Sequence, residues 1–122
     1  MAKVIRVSDK SDIQEAPGLD AVAELGIEYG VLAEMPARGL SFAKGRVPSG
    51  GTVPMHAGPG DYALFVTAGS GFLTLYNAEG AETDRLRYAP GDLILFPPNS
   101  QHGWINDAET DFEWFGVDIA AG

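Results

Sequence analysis

The sequence predicts an all-β domain, a sandwich or barrel of short strands. Three observations carry that prediction. Sixteen glycines and eight prolines punctuate the chain, in turns such as Gly58-Pro-Gly, Pro90-Gly-Asp and Pro97-Pro-Asn. The segments between them are of strand length and rich in β-branched and aromatic residues. Turn signals recur about every 8–12 residues, the spacing of sandwiches and barrels.

Taken in order, residues 1–26 have weak periodicity and read as a peripheral N-terminal arm. Within it, residues 19–25 after Pro17-Gly18 form the one helical candidate, too short to persist without packing. Strands are then expected over residues 27–34, 40–47, 62–67, 72–76, 85–88, 93–96, 102–106 and 112–119. Alternation supports them: Phe72, Thr74 and Tyr76 fall on one face, Leu73 and Leu75 on the other. No repeat, linker or low-complexity segment interrupts the run, so a single domain is expected over residues 1–122.

Composition narrows the function. The chain has 122 residues, 45% of them hydrophobic and 20% charged, as in ordinary soluble domains. It has no cysteine, which removes disulfides, thiolate metal sites and cysteine nucleophiles, and fits a reducing compartment. Seventeen acidic residues against eight basic ones give a net charge of −9. That field repels phosphate backbones, and no helix-turn-helix pattern is present, so nucleic acid is not an expected partner. No apolar run reaches the length of a membrane span, and Met1–Val7 lacks the apolar core of a signal peptide. A cytoplasmic protein with no membrane partner is expected.

Two segments carry more specific information. Residues 51–71 read Gly-Thr-Val-Pro-Met-His56-Ala-Gly58-Pro-Gly-Asp-Tyr62-Ala-Leu-Phe-Val-Thr-Ala-Gly69-Ser-Gly71. Residues 91–106 read Gly-Asp-Leu-Ile-Leu-Phe-Pro97-Pro-Asn99-Ser-Gln-His102-Gly-Trp-Ile-Asn106. The first resembles the opening motif of the cupin superfamily, in which a glycine precedes His-x-His, then a glutamate, then six residues and a glycine. The second is similar to the closing motif, glycine, five residues, Pro-x-Gly, two residues, His, three residues, Asn. Every spacing of the second holds, with Asn99 in place of its middle glycine. Asparagine tolerates positive φ better than other non-glycine residues, so the turn is kept. The resemblance spans residues 40–106 and implies a cupin-type double-stranded β-helix, a jelly-roll barrel of the RmlC-like kind.

In that family two histidines and a glutamate of the first motif join the histidine of the second around a divalent metal. The corresponding positions here are His56, Gly58, Tyr62 and His102. Glycine has no donor, and a tyrosine with an ordinary pKa near 10 is a costly phenolate ligand. His56 and His102 are therefore the candidate metal ligands, for Mn, Fe, Ni or Zn, but they do not make a full four-ligand set. Asp61 is one position out of register to replace the glutamate. The alternative to metal chemistry is proton transfer by His56 or His102 with Tyr62. This is similar to the metal-free histidine base and tyrosine acid of some sugar-nucleotide epimerases in the superfamily. The plain structural reading makes the histidines internal hydrogen-bonding groups and Tyr62 a core filler.

Strict alternation from His102 places Trp104 and Asn106 on the same face, as pocket residues. Lys44 and Arg46 share a face too; if inward, they would favour a carboxylate-bearing ligand, and if outward they are surface charge. The sequence thus leads to a pocket for a small organic molecule. It would be either an enzyme (a dioxygenase, lyase or isomerase-like cupin) or a binding and sensing barrel without the metal site. The family resemblance also implies a homodimer.

Overall fold

The computed structural model describes residues 20–22 and 26–121, with side chains from Gly26 onward. Among the described residues ten strands fall into two antiparallel sheets. They are β1 (Asp20–Val22), β2 (Ile27–Met35), β3 (Leu40–Val47), β4 (Thr52–His56), β5 (Asp61–Ala68), β6 (Gly71–Tyr76), β7 (Glu82–Tyr88), β8 (Leu93–Phe96), β9 (His102–Ile105) and β10 (Phe112–Ile119). The larger sheet has the order β1-β2-β3-β10-β5-β8, the smaller β4-β9-β6-β7. Sequence neighbours are repeatedly separated and moved to the facing sheet, which is the winding of a jelly roll.

Period-two alternation sets what faces inward. On β10, Phe112 and Trp114 point into the barrel while Phe115 stacks on Phe42 outside, ring centroids 6.3 Å apart. Val47, Leu64, Val66, Leu73, Phe96 and Trp104 complete most of the buried core with them. The aromatic rings are in continuous contact: Trp104 lies 4.9 Å from Phe112 and 5.5 Å, edge-on, from Tyr88.

Three expectations need correction. Within the helical candidate at residues 19–25, Asp20–Val22 is a strand paired antiparallel with β2, Asp20 opposite Tyr29. A lone turn of helix gains less than a strand that finds a ladder partner. Leu19 and residues 23–25, like residues 1–19 of the arm as a whole, lie outside the described residues. Strand β4 was not expected, because Pro54 interrupts its pattern; it is an edge strand, where a missing N–H is tolerated. Lys44 and Arg46 point away from the pocket, on the face opposite Val47, yet both are buried. Arg46 is ion-paired with Glu28 of the adjacent strand, and that bond raises its pKa.

Candidate functional site

A cavity of about 650 Å³ opens between the two sheets. His56, Tyr62, His102 and Trp104 line it; Asn106 does not.

The histidines come from neighbouring strands. His56 ends β4 and pairs directly with His102, which begins β9, so their rings meet at a centroid distance of 4.3 Å, tilted by 59°. Each ring is fixed in the same way. His56 Nδ1–H donates to the Pro54 carbonyl at 2.9 Å, and His102 Nδ1–H donates to the Ser100 carbonyl at 2.9 Å. A carbonyl can only accept, so both rings carry their proton on Nδ1. Nε2, at the far end of each ring, is left as an acceptor for the cavity. His102 is also stacked on Phe96 at 4.0 Å and 28°, and is 9% exposed. Burial, and the neighbouring His56, lower its pKa to about 4, so it is neutral at pH 7.

The loops that carry these residues are tied together. Asn99 has φ 62°, the left-handed turn expected of it, and its N–H donates to the Gly58 carbonyl at 2.7 Å. The second-motif loop is thereby pinned to the first. Asn106 does the same work at the other end. Its side-chain N–H groups donate to the carbonyls of Val47, Pro48 and Thr110, and its Oδ1 accepts from Ala108 N–H. Alternation failed there because β9 ends at Ile105, one residue short.

Tyr62 lies in the cavity wall with its hydroxyl engaged. Trp114 Nε1–H donates to Tyr62 Oη at 3.0 Å, and Tyr29 shares a hydrogen bond with the same hydroxyl. Burial and the nearby Tyr29 and Asp118 push the Tyr62 pKa far above its ordinary value. Two glycines make the arrangement possible. A Cβ on Gly45 would lie 1.9 Å from the Trp114 ring, and one on Gly116 1.9 Å from Tyr62 Oη. Glycine inside a strand is the sequence signal of such close approach. Gly45 and Gly116 give it here, and so point to Trp114 and Tyr62 as rings laid across the sheet.

Two further lining residues carry charge. Glu34 and Asp118 both pair with Ser41, from β2 and β10, and Asp118 also pairs with Tyr62. Glu34, Ser41, Asp118, Tyr62 and Phe96 thus form one row across five strands of the larger sheet. Neither carboxylate stands out in the sequence, because only the strand register brings them to one cavity.

The four-ligand metal site of the resemblance does not fit these residues. His56 and His102 can supply two Nε2 donors, Gly58 supplies none, and the Tyr62 oxygen, which accepts from Trp114, is kept protonated chiefly by burial. Among the described residues, no group of three or more His, Cys, Asp or Glu side chains could hold an ion.

Two facing antiparallel sheets around a cavity with one histidine on each of two paired strands define a small jelly-roll barrel protein. The family model for the cupin domain matches residues 44–119. The chain belongs to the cupin family. Its structure is similar to that of a cupin 2 conserved barrel domain protein from Salinispora arenicola, with TM-score 0.71 and 20% identity, over 99% of this chain and 92% of that one. It is similar also to the polyketide cyclase RemF from Streptomyces resistomycificus (TM-score 0.66, 22% identity, 97% and 78% covered). A predicted oxalate decarboxylase from Thermotoga maritima shares the fold at TM-score 0.60 and 22% identity, over 78% and 81%. No curated protein matches the sequence. Among the described residues no helix is long and apolar enough to cross a membrane.

Proposed function

We propose that the chain binds a small, largely apolar, hydroxyl-bearing organic molecule in its barrel cavity, with His56 and His102 accepting the hydroxyl hydrogen. The observation that carries this reading is the imidazole pair. Both Nδ1 atoms are committed to backbone carbonyls, which leaves the two Nε2 atoms as the ring positions open to a ligand in one wall. Around them the wall is mostly aromatic, with Tyr62, Phe96, Trp104 and Trp114. An apolar pocket with a few convergent polar groups is the usual make-up of a small-molecule site.

Calorimetric titration with 4-ethylphenol tests this. Wild-type protein should bind, and His102→Ala and His56→Ala should each weaken binding by about tenfold. Binding that is unchanged in both variants would remove the imidazoles from the site.

A second reading makes the chain an enzyme in which a neutral Nε2 takes a proton from an enolisable ring compound. Its support is the fold shared with a polyketide cyclase and the acceptor state of both rings. Tyr62 is a poor partner acid in such a reaction, because burial and the hydrogen bond to Tyr29 hold its proton, against the opposing bond donated by Trp114. Turnover of a bound compound, lost in His102→Ala, separates the enzyme from the binding barrel.

For assembly we propose a homodimer packed through the outer face of β8, β5 and β10. Leu93 and Leu95 there are 63% and 67% exposed, and Phe65 lies beside them. In a chain of net charge −9, the exposed apolar patch of Leu93, Leu95 and Phe65 is where a second copy can approach with least repulsion. Sedimentation at micromolar concentration should give a dimer, and Leu93→Glu/Leu95→Glu a monomer.

A further inference from the structure

The cavity is polarised. One wall carries the two Nε2 acceptors, and the other carries Glu34 and Asp118 in the row that ends on Phe96. Among the described lining residues there is no lysine or arginine. The two basic side chains that a carboxylate-bearing ligand would need, Lys44 and Arg46, are on the outer face of the same sheet. An anionic ligand would therefore meet two carboxylates and no lysine or arginine among the described lining residues, which is repulsive.

The spacing is suited to one small molecule. Asp118 and Phe96 are two strands apart in the row, about 10 Å across the ladder, and His102 stacks on Phe96. A single hydroxylated ring lying against Phe96 and Trp104, with a short arm, reaches from the imidazoles to Asp118. His102 supplies independent evidence for an occupant at the other end. It is 9% exposed, lines the cavity and has Nδ1 committed to the Ser100 carbonyl, so Nε2 is the ring atom open to a ligand hydroxyl.

We infer that the cavity is selective for cationic arylalkylamines bearing a ring hydroxyl, with the hydroxyl at His56 and His102 and the ammonium at Asp118 and Glu34. This rests on the small-molecule reading above and adds the sign of charge that the site accepts. Glu34 and Asp118 are exposed, at the open end of the cavity; an ammonium beside them gains a charge-assisted hydrogen bond, and a cation near Trp or Tyr faces gains further.

Three probes that differ only in the arm test it: tyramine, 4-ethylphenol and 3-(4-hydroxyphenyl)propanoate, titrated calorimetrically into the full chain at fixed ionic strength. Tyramine should bind at least about tenfold tighter than 4-ethylphenol, with the propanoate weakest. In Glu34→Gln/Asp118→Asn, tyramine should fall to the level of 4-ethylphenol, whose own affinity should not change. Equal binding of all three probes, or preference for the propanoate, would overturn the charge assignment and leave the small-molecule reading standing. A tyramine preference that survives in the double variant would come from the general acidity of the chain, and would overturn the role of Glu34 and Asp118. Binding of none of the probes would overturn the small-molecule reading, and this inference with it. Circular dichroism of the double variant confirms that the comparison is made on folded protein.

Discussion

The two motif segments lie side by side in the barrel, yet one keeps every spacing of the family pattern, with Asn99 for one glycine, and the other departs from it at two of its ligand positions. The reason is visible in what each position does. In the closing segment Asn99 makes a left-handed turn, and Asn106 ties three carbonyls of neighbouring loops. These are architectural tasks. In the opening segment the glycine that matches is also architectural: Gly69 has φ 85°, and a Cβ there would lie 2.4 Å from the Asp111 carbonyl oxygen. The positions that depart are Gly58 and Tyr62. A Cβ on Gly58 would meet nothing within 4 Å, so backbone geometry asks for no particular residue there. A motif is thus two overlaid patterns, one for building the barrel and one for supplying donors, and only the first is complete in this chain.

That contrast can be broken in a graded way. Gly69→Ala should cost about 3 kcal/mol or more in urea unfolding, from the positive φ and the carbonyl clash together. Gly58→Ala should stay within about 0.5 kcal/mol of wild type, and a loss comparable to that of Gly69→Ala would erase the distinction. Asn106→Ala should also cost about 3 kcal/mol, since it leaves three loop carbonyls without their donor.

The pH dependence of stability follows from His102. Its folded pKa is depressed to about 4, below the ordinary value of 6.5. The unfolded chain therefore takes up this proton first as pH falls. The contribution is fully present above pH 6.5 and is lost between 6.5 and about 4, at most about 3 kcal/mol. Carboxylates titrate at the lower end of that window. The quantity to measure is thus the difference between wild type and His102→Gln, which should shrink as pH falls from 7 to 4.

Gly58→His sharpens the donor half of the comparison. It would add a third imidazole at the position the family pattern gives to histidine, in open space and without left-handed strain. Affinity for Ni or Zn should rise about 100-fold over wild type. No gain in competition titrations would mean that the position does not address the His56–His102 pair. The smallest effect is expected from Trp114→Phe. It removes one N–H donor to Tyr62 while keeping the ring over Gly45, and should cost about 1 kcal/mol.

The fold was legible where alternation and turn chemistry agree. Residues 40–47, 93–96 and 112–119 are strands with the bounds that the sequence suggests. It was less legible where a local signal competes with tertiary pairing. Pro54 hid β4, and the Ala-rich stretch near residue 20 resembled a helical turn until β2 offered it a partner. In the site, His56, Tyr62, His102 and Trp104 were found by motif position and alternation. Trp114 and Tyr29 belong to it through a close approach that only Gly45 and Gly116 announce. Glu34 and Asp118 come from strands that are distant in sequence and joined by register, which a single sequence does not fix.

The central claim is that His56 and His102, each with Nδ1 bonded to a backbone carbonyl, present their Nε2 atoms to the ligand. Long-range proton–nitrogen correlation NMR reads it directly, because the chain contains only these two histidines. At pH 7 His102 should show protonated Nδ1 and unprotonated Nε2 and stay neutral down to about pH 4, and addition of 4-ethylphenol should shift the Nε2 signals of both rings. A His102 that titrates near 6.5, or Nε2 signals unmoved by the phenol, would contradict the account.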